Sequence, residues 1–387
     1  MARKLAFRCP GPARELTVLK GVQLKILIGP VAVNPAPREV MEAFTGAQVT
    51  QASGQRSGFQ MEFTYSSSSP IAQKLVPSGF FDPMNRVILV ATLNGSEHVL
   101  SDGPIKRLDT VATNKPGENK LTITGEDVTG YMDAIEWTGM PFPAMPPVAR
   151  VLMMIAKYAM FGVIPLTIPP TFSSVRMPTD KYAHQRGTDY AYITELARQA
   201  GHEFYVTPGP VAGTNTAYWG PQVRIGQAQP ALTIDMGRQS NVSTMSFSVD
   251  GNAAVIPVAH AKIARVSVPI PLPNVSLLKP PLSARPVVPS KTRWLETEKF
   301  DEAEILSRLI GGAGQVDPST ASGTIDLSAY GQPLKARKLV GVRGAGRAND
   351  GIYYCRSVTH QLAPGKWTQN FQLARDGMVA QQEKIPV

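Results

Sequence analysis

Phe59-Gln-Met-Glu-Phe-Thr-Tyr65 decides how the first third of the chain is read. Phe59, Met61, Phe63 and Tyr65 fall on one side of an extended backbone and Gln60, Glu62 and Thr64 on the other, the period-2 signature of a half-buried strand. The same character continues on both sides. Val22 to Ile28 alternates in part. Val87 to Leu93, then Asn94-Gly95, then Ser96 to Leu100 reads as a hairpin, because a tight two-residue turn needs positive φ, which Asn and Gly tolerate. Lys120 to Thr124 adds a strand ended by Gly125. Successive strands joined by short turns predict an antiparallel barrel or sandwich.

The middle changes character. Pro141, Pro143, Pro146 and Pro147 lead into a Met-rich apolar segment from Val148 to Ile164. Arg150, Lys157, Gly162 and the following Pro165 make it a buried or interface helix and not a membrane span, which needs about 20 mostly apolar residues. A second helix is predicted over Asp189–Ala200, with Tyr192, Ile193, Leu196 and Ala200 on one face. Thr188 or Asp189 can cap its start, and Gly201 stands where a left-handed cap is wanted. His202 to Val206 continues as a strand. From Val266 to Pro289 the chain is punctuated by prolines, which favour extended backbone and remove ladder donors. Its apolar residues, among them Val266, Val268, Ile270, Leu272, Leu277 and Leu278, predict an arm docked on protein. A short helix is expected from Thr297 to Ile310, stopped by Gly311-Gly312, before β structure returns at 338–342, 351–358 and 367–373.

Composition sets the outer limits. With 387 residues the chain has room for two or three domains of about 150 residues. Its 34 Pro and 33 Gly fit a β-rich fold with many turns and extended segments. Charged residues are 18% of the chain, which fits a surface largely covered by other subunits, since charge is depleted in interface cores. The net charge of +10 comes from Lys and Arg spread along the chain, which suits acidic protein partners better than dedicated nucleic-acid binding. Cys9 and Cys355 form no CxxC pattern and read as reduced thiols of a cytoplasmic assembly environment. Arg3, Lys4 and Arg8 precede a stretch broken by Gln23 and Lys25, a strand pattern and not a signal peptide.

Catalytic patterns fail one by one. Gly341-Val-Arg-Gly344-Ala-Gly346 lacks the last Gly of a dinucleotide fingerprint and leads into a strand. Gly365-Lys366-Trp367-Thr368 is no Walker loop, and no GxSxG elbow occurs. His184 with His202-Glu203 is the sole conceivable metal cluster, without HExxH spacing. Glu126 and Asp127 are adjacent on a strand and point to different sides, so this pair cannot straddle one glycosidic bond. No catalytic, cofactor-binding or metal residue is expected, and no cofactor.

Two stretches resemble the hub proteins of contractile tails: the T4 baseplate hub, the late-control D proteins of P2-like phages, and the N-terminal part of VgrG spikes. Gly187-Thr-Asp-Tyr-Ala-Tyr-Ile-Thr-Glu-Leu-Ala-Arg-Gln-Ala-Gly-His-Glu-Phe204 is similar to that family's S-D-x-x-F-L-x-x-L-A-x-x-x-G-x-x-F, with Tyr192 in place of Phe. Asp350-Gly-Ile-Tyr-Tyr-Cys-Arg-Ser-Val-Thr-His360 with Gly365-Lys-Trp-Thr-Gln-Asn-Phe-Gln-Leu-Ala-Arg375 resembles its closing hairpin. Thr122-Ile-Thr-Gly-Glu-Asp127 resembles the strand ending its first barrel.

The resemblance implies a mixed α+β, β-dominated fold: two tube-like antiparallel barrels with small α/β insertions and a Pro-rich arm. It places the first barrel at 1–126, a helical connecting domain at 127–200, the second barrel at 201–262 and 313–387, and the arm with its helix at 263–312. It assigns structural roles to Asp127, Tyr192, Leu196, Gly201, Phe204, Gly351, Tyr353, Val358, His360, Trp367, Phe371 and Arg375. The implied function is that of a non-enzymatic baseplate hub. A homotrimeric ring would match a six-fold tail tube or its initiator to a three-fold central spike, beside baseplate wedge components. DNA would pass transiently through its lumen, and no membrane insertion is implied. No spike-like domain follows residue 387, so a separate spike protein is expected. The location implied is the virion tail baseplate, assembled in the bacterial host cytoplasm. The alternatives are a peptidoglycan-degrading tail hydrolase and a distal tail or wedge protein.

A docked arm has a measurable consequence. Amide hydrogens between Val266 and Pro289 should exchange slowly in the assembled particle, and limited proteolysis should spare this stretch. Rapid exchange and cutting throughout it would contradict docking.

Overall fold

The computed structural model describes residues 21–115, 117–170, 183–263, 266–271, 279–288, 291–295 and 317–381. Its largest element is a sheet of 13 strands. The path runs Val242–Val249, Ser319–Asp326, Lys366–Arg375, Gly351–Ala363, Phe44–Ala52, Gly58–Tyr65, Asn119–Glu126, Ser96–Val111, Arg86–Leu93, Val22–Gly29 and Asn34–Pro35. Off this path, Leu339–Arg343 pairs with Gly351–Ala363, and Gln229–Thr233 pairs in parallel with Leu339–Arg343. The fold is β-dominated and mixed α+β, as the sequence implies. Asn94 and Gly95 both have positive φ, 50° and 83°, and turn Arg86–Leu93 into Ser96–Val111 as expected.

The two β regions, far apart in the chain, are one sheet. Gly351–Ala363 pairs antiparallel with Phe44–Ala52, placing Val358 opposite Gln51 and His360 opposite Val49. They share one core: Ile26, Phe59, Met61, Phe63, Leu121 and Ile123 cluster with Val340, Tyr353, Val358, Trp367, Phe371 and Leu373. Closure into separate barrels is not seen among the described residues; the path ends at Val242–Val249 and Asn34–Pro35. The long strand Ser96–Val111 pairs with Arg86–Leu93 along its first half and with Asn119–Glu126 along its second. Register irregularities at Leu89/Val90 and Ile105/Arg107 let it bend between the two. Arg86–Leu93 is buried on both faces: Val87 and Leu89 enter the main core, while Ile88 and Val90 meet Leu27 in a smaller one.

The central unit has its own core. Helices Pro147–Ala156 and Asp189–Ala200 pack on a three-stranded sheet ordered Glu203–Pro208, Asn215–Gly220, Val163–Thr167. The central core extends past residue 200. Phe204, Val206, Ala217 and Trp219 bury among Val151, Met154, Ile193 and Leu196, so these two strands complete the central core and leave the second β region. The apolar segment from Val148 is not one helix. It stops at Ala156, makes a turn over Ala159–Phe161, and leaves as Val163–Thr167, parallel to Asn215–Gly220. No helix among the described residues is long and apolar enough to cross a membrane.

Part of the Pro-rich arm is paired. Val266–Pro271 forms a hairpin with Val255–Ile263, and Lys291–Leu295 runs parallel to the latter. Ser283–Pro286 pairs with Gly377–Ala380. Asp376 fixes this junction, accepting from the backbone N–H of Leu282 (2.8 Å) and Ser283 (3.1 Å) and from the Ser283 hydroxyl (3.0 Å). Leu272, Leu277, Leu278, the helix expected at 297–310, and Cys9 with the rest of 1–20 lie outside the described residues.

A buried ion pair ties the sheet to the central unit. Arg86 donates Nε and Nη2 to the two oxygens of Asp102, both at 2.7 Å, with side chains 6% and 0% exposed. Nη2 also donates to the Phe161 carbonyl at 2.8 Å, and Asn215 Nδ2 donates to Asp102 at 2.7 Å. Removing one charge strands the other without water, at a cost of about 3–5 kcal/mol, whereas an apolar pair of similar volume can be neutral. In urea unfolding, Arg86→Met is expected to lose that amount, and Arg86→Met combined with Asp102→Leu to recover most of it. Equal losses in both variants would contradict the pairing.

Candidate functional site

The residues singled out by sequence fall into three places. Tyr192, Leu196 and Phe204 lie in the central core. Thr188 caps their helix by accepting from Ala191 N–H at 3.2 Å, and Gly201 ends it in the left-handed conformation at φ 68°. Asp189, the other cap candidate, turns inward instead. It is fully buried and accepts from Lys157 Nζ (3.1 Å), Tyr158 Oη (2.8 Å) and Gln185 Nε2 (2.7 Å), locking one helix to the other.

Asp127 stands at the end of strand Asn119–Glu126. Its carboxylate accepts from Ser57 N–H (3.1 Å), Thr129 N–H (2.9 Å) and Thr129 Oγ1 (2.5 Å). Burial raises its pKa, and those hydrogen bonds oppose the rise. Glu126 points elsewhere, to Arg56 at 3.2 Å, whose other nitrogen holds Asp133 at 2.7 Å. The adjacent acids therefore serve two separate structural contacts and face no common cleft.

The closing hairpin gathers the rest. Tyr353, Val358, Trp367 and Phe371 are core residues of the large sheet. His360 is buried, and its Nδ1 accepts from Trp367 Nε1 at 3.3 Å and lies 3.1 Å from Gln369 Nε2. That pattern fits a neutral ring with Nδ1 as acceptor. Gln369 brackets Leu334, accepting its N–H at 2.9 Å and donating to its carbonyl at 3.0 Å. Buried Arg375 stacks 4.3 Å over the Tyr353 ring and donates to the carbonyls of Gly377 (2.8 Å), Asp350 (3.0 Å) and Ala348 (2.9 Å). Gly351, at φ 136°, leaves room for it: a Cβ there would lie 2.7 Å from Arg375 Nη1.

Two features were missed by the sequence. A polar junction joins the large sheet to the strand Glu203–Pro208: Ser53 donates to Glu203 (2.7 Å), Gln222 Nε2 donates to Glu203 (3.2 Å), and Arg224 pairs with Asp317 beside the Tyr354 ring. Arg337 stacks 3.9 Å over Tyr205, and burial lowers the Lys279 pKa to about 8. Ser53 meets the Glu203 carboxylate and the Tyr354 phenol here. Among the described residues, no group of three or more His, Cys, Asp or Glu is arranged to hold a metal. His202 packs edge-on to Trp219 at 4.5 Å.

The second feature is the outer face of the closing strands. Thr244, Thr324, Asn370, Thr359 and Thr50 form one cross-strand row, and Ser246, Ser322, Gln372 and Ser357 the next. Neighbours bond to each other: Thr324 to Asn370 at 2.8 Å, Ser246 to Ser322 at 2.8 Å, Thr50 to Thr359 at 3.2 Å. A shallow depression of about 450 Å³ runs over these strands; Met245 and Phe371 line it beside these hydroxyls and amides, and among the described residues no Lys, Arg, Asp or Glu does.

No family model and no curated protein matches the chain. Solved structures do. A tail protein from Neisseria meningitidis aligns at a TM-score of 0.59 with 12% identity, over 93% of this chain and 98% of that one. The 43 kDa tail protein of prophage MuSo2 from Shewanella oneidensis aligns at 0.56 with 13% identity, over 92% and 99%. A type VI secretion component from E. coli, itself described as similar to bacteriophage T4 tail proteins, aligns at 0.52 with 9% identity, over 89% and 76%. The chain has the fold of these tail and injection-system proteins.

The buried histidines make stability pH-dependent. Burial pushes His360 down to about 3, with His98 adding repulsion, and His202 down to about 4. Between the free value near 6.5 and these values, the unfolded chain binds protons that the folded chain excludes. Stability therefore falls as pH drops through that window, by at most roughly 1.4 kcal/mol per pH unit for each histidine. Urea midpoints from pH 7 to 4.5 should decline, and His360→Gln should flatten the decline. An unchanged slope would refute the assignment of His360 as a neutral buried ring.

Proposed function

We propose that the chain is a structural hub of a contractile phage tail or related injection particle, acting through assembly and not catalysis. The observation carrying this reading is the tail-protein fold, matched over nearly the whole length of two solved tail proteins, one of them from a prophage. The sheet supports it. Among the described residues its path ends on Val242–Val249 and Asn34–Pro35, and a strand edge left open is a ready site for pairing with another chain. Three copies would set their large sheets around one axis, so that two β regions per chain present six units to a tail tube or its initiator. The three-fold end would seat a separate spike, with wedge components outside and the virion baseplate as the location.

In this division, residues up to 126 form the first tube-like region and 127–220 the central unit. Strands from Gln229 onward form the second region, with the segment around 263–312 as the docked arm. Asp127, Gly201, Gly351, His360 and Arg375 hold backbone and packing in place, and no side chain performs covalent chemistry.

Copy number tests the reading. Mass measurement and rotational symmetry of the assembled particle should give three copies around the axis; six or twelve would assign the chain to a tube, distal tail or wedge position. Purified protein should release no fragments from bacterial cell walls in a zymogram. Hydrolysis abolished by one substitution with assembly intact would establish a tail hydrolase instead.

A further inference from the structure

We infer that the junction between the large sheet and the central unit is a contact face for a second copy of this chain; the number of copies rests on the hub reading above. Three segments meet there, 26–37, 158–170 and 204–223, and none contains Asp, Glu, Lys or Arg. One guanidinium draws them together. Arg86 donates Nη2 to the Phe161 carbonyl at 2.8 Å and reaches the carbonyls of Val31 and Gly213, each at 3.4 Å. Gly162 packs so closely on Gly213 that a Cβ there would collide with the Gly213 carbonyl oxygen. Arg86 and its partner Asp102 are 6% and 0% exposed, so neither brings charge to the surface.

What the junction offers to solvent is apolar. Val31, Met160, Ile164, Leu166 and Val211 are 38% to 65% exposed. Val31, Met160 and Val211 stand on the segments gathered by Arg86, and Ile164 and Leu166 share one face of strand Val163–Thr167, which leaves the junction beside Asn215–Gly220. Asn215 N–H donates to the Gly162 carbonyl and Ile168 N–H to the Trp219 carbonyl. That alternation turns Pro165 outward, where it has no N–H to offer an added strand, so the contact is made by side chains. Interface cores are depleted in charge and enriched in Met, as this strip is. Charge also selects the occupant. Two copies at +10 each repel wherever their Lys and Arg face one another, and can approach without that cost where neither carries charge. An acidic partner would gain nothing here and would be drawn to Lys and Arg elsewhere. In a ring the strip meets a different patch of the neighbouring copy, so each copy presents it once.

The test puts charge on the strip. Met160→Lys and Val211→Lys are combined in the full chain, with Met160→Leu and Val211→Ile combined as the apolar control. Sedimentation equilibrium over a range of protein concentrations reads association, and far-ultraviolet circular dichroism reads the fold. The expected result is native-like association of the control and association at least about tenfold weaker in the Lys variant, with an unchanged dichroism spectrum. Should the Lys pair not fold, Met160→Ser with Val211→Ser is read in the same way. Association of a folded variant as tight as that of the native chain would overturn the inference and leave the hub reading intact. A native chain monomeric at every concentration, with the Lys variant entering particles normally, would overturn it too. Native-like association with loss of incorporation would give the strip to another tail protein and overturn it equally. The expected weakening with a native copy number other than three would keep the contact and remove the hub reading.

Discussion

The antiparallel pairing of Gly351–Ala363 with Phe44–Ala52 is the constraint on which the rest depends. It closes a loop of some three hundred residues, and the entropy of closing loops must be met before such pairs return anything. The return is a shared core. With Val358 opposite Gln51 and His360 opposite Val49, Tyr353, Val358, Trp367 and Phe371 share an apolar layer with Phe59, Met61 and Phe63. A slip of one residue would send all of them to the water side and bring Thr359 and Thr50 inward. The register that builds the core therefore also builds the uncharged outer face.

Polar groups then fix how the remaining parts sit on this sheet. Arg86 and Asp102 reach from it to the Phe161 carbonyl and Asn215 of the central unit, and Ser53 meets Glu203. Buried ion pairs add little net stability against an apolar alternative, but misplacing one is costly, so they select a single docking geometry. Asp376 does the same for the arm, tying Leu282 and Ser283 to the turn after the closing hairpin.

Structural use of ionisable residues accounts for the lack of a reactive cluster among the residues described. Asp127, Asp189, His360 and Arg375 are each enclosed by partners that use their hydrogen-bonding capacity.

Local pattern was enough for the strand at Phe59–Tyr65, the Asn94-Gly95 turn, the capped helix Asp189–Ala200 and the closing hairpin, because periodicity and turn chemistry act within a few residues. The β-dominated class and the buried helix face with Tyr192 followed from the same local signals. Other features were beyond it. Nothing in the alternation of Phe44–Ala52 names Gly351–Ala363 as its neighbour, and nothing in Glu203–Pro208 says that it joins Val163–Thr167 through Asn215–Gly220. Nothing local marks Arg86, Asp102, Arg224 and Asp317 as buried charges; only folding removes water from them. The neutral face is assembled from Ser, Thr, Asn and Gln on strands far apart in sequence, each unremarkable alone. Partner choice between strands depends on long-range packing and desolvation, which exist only once the chain has closed on itself.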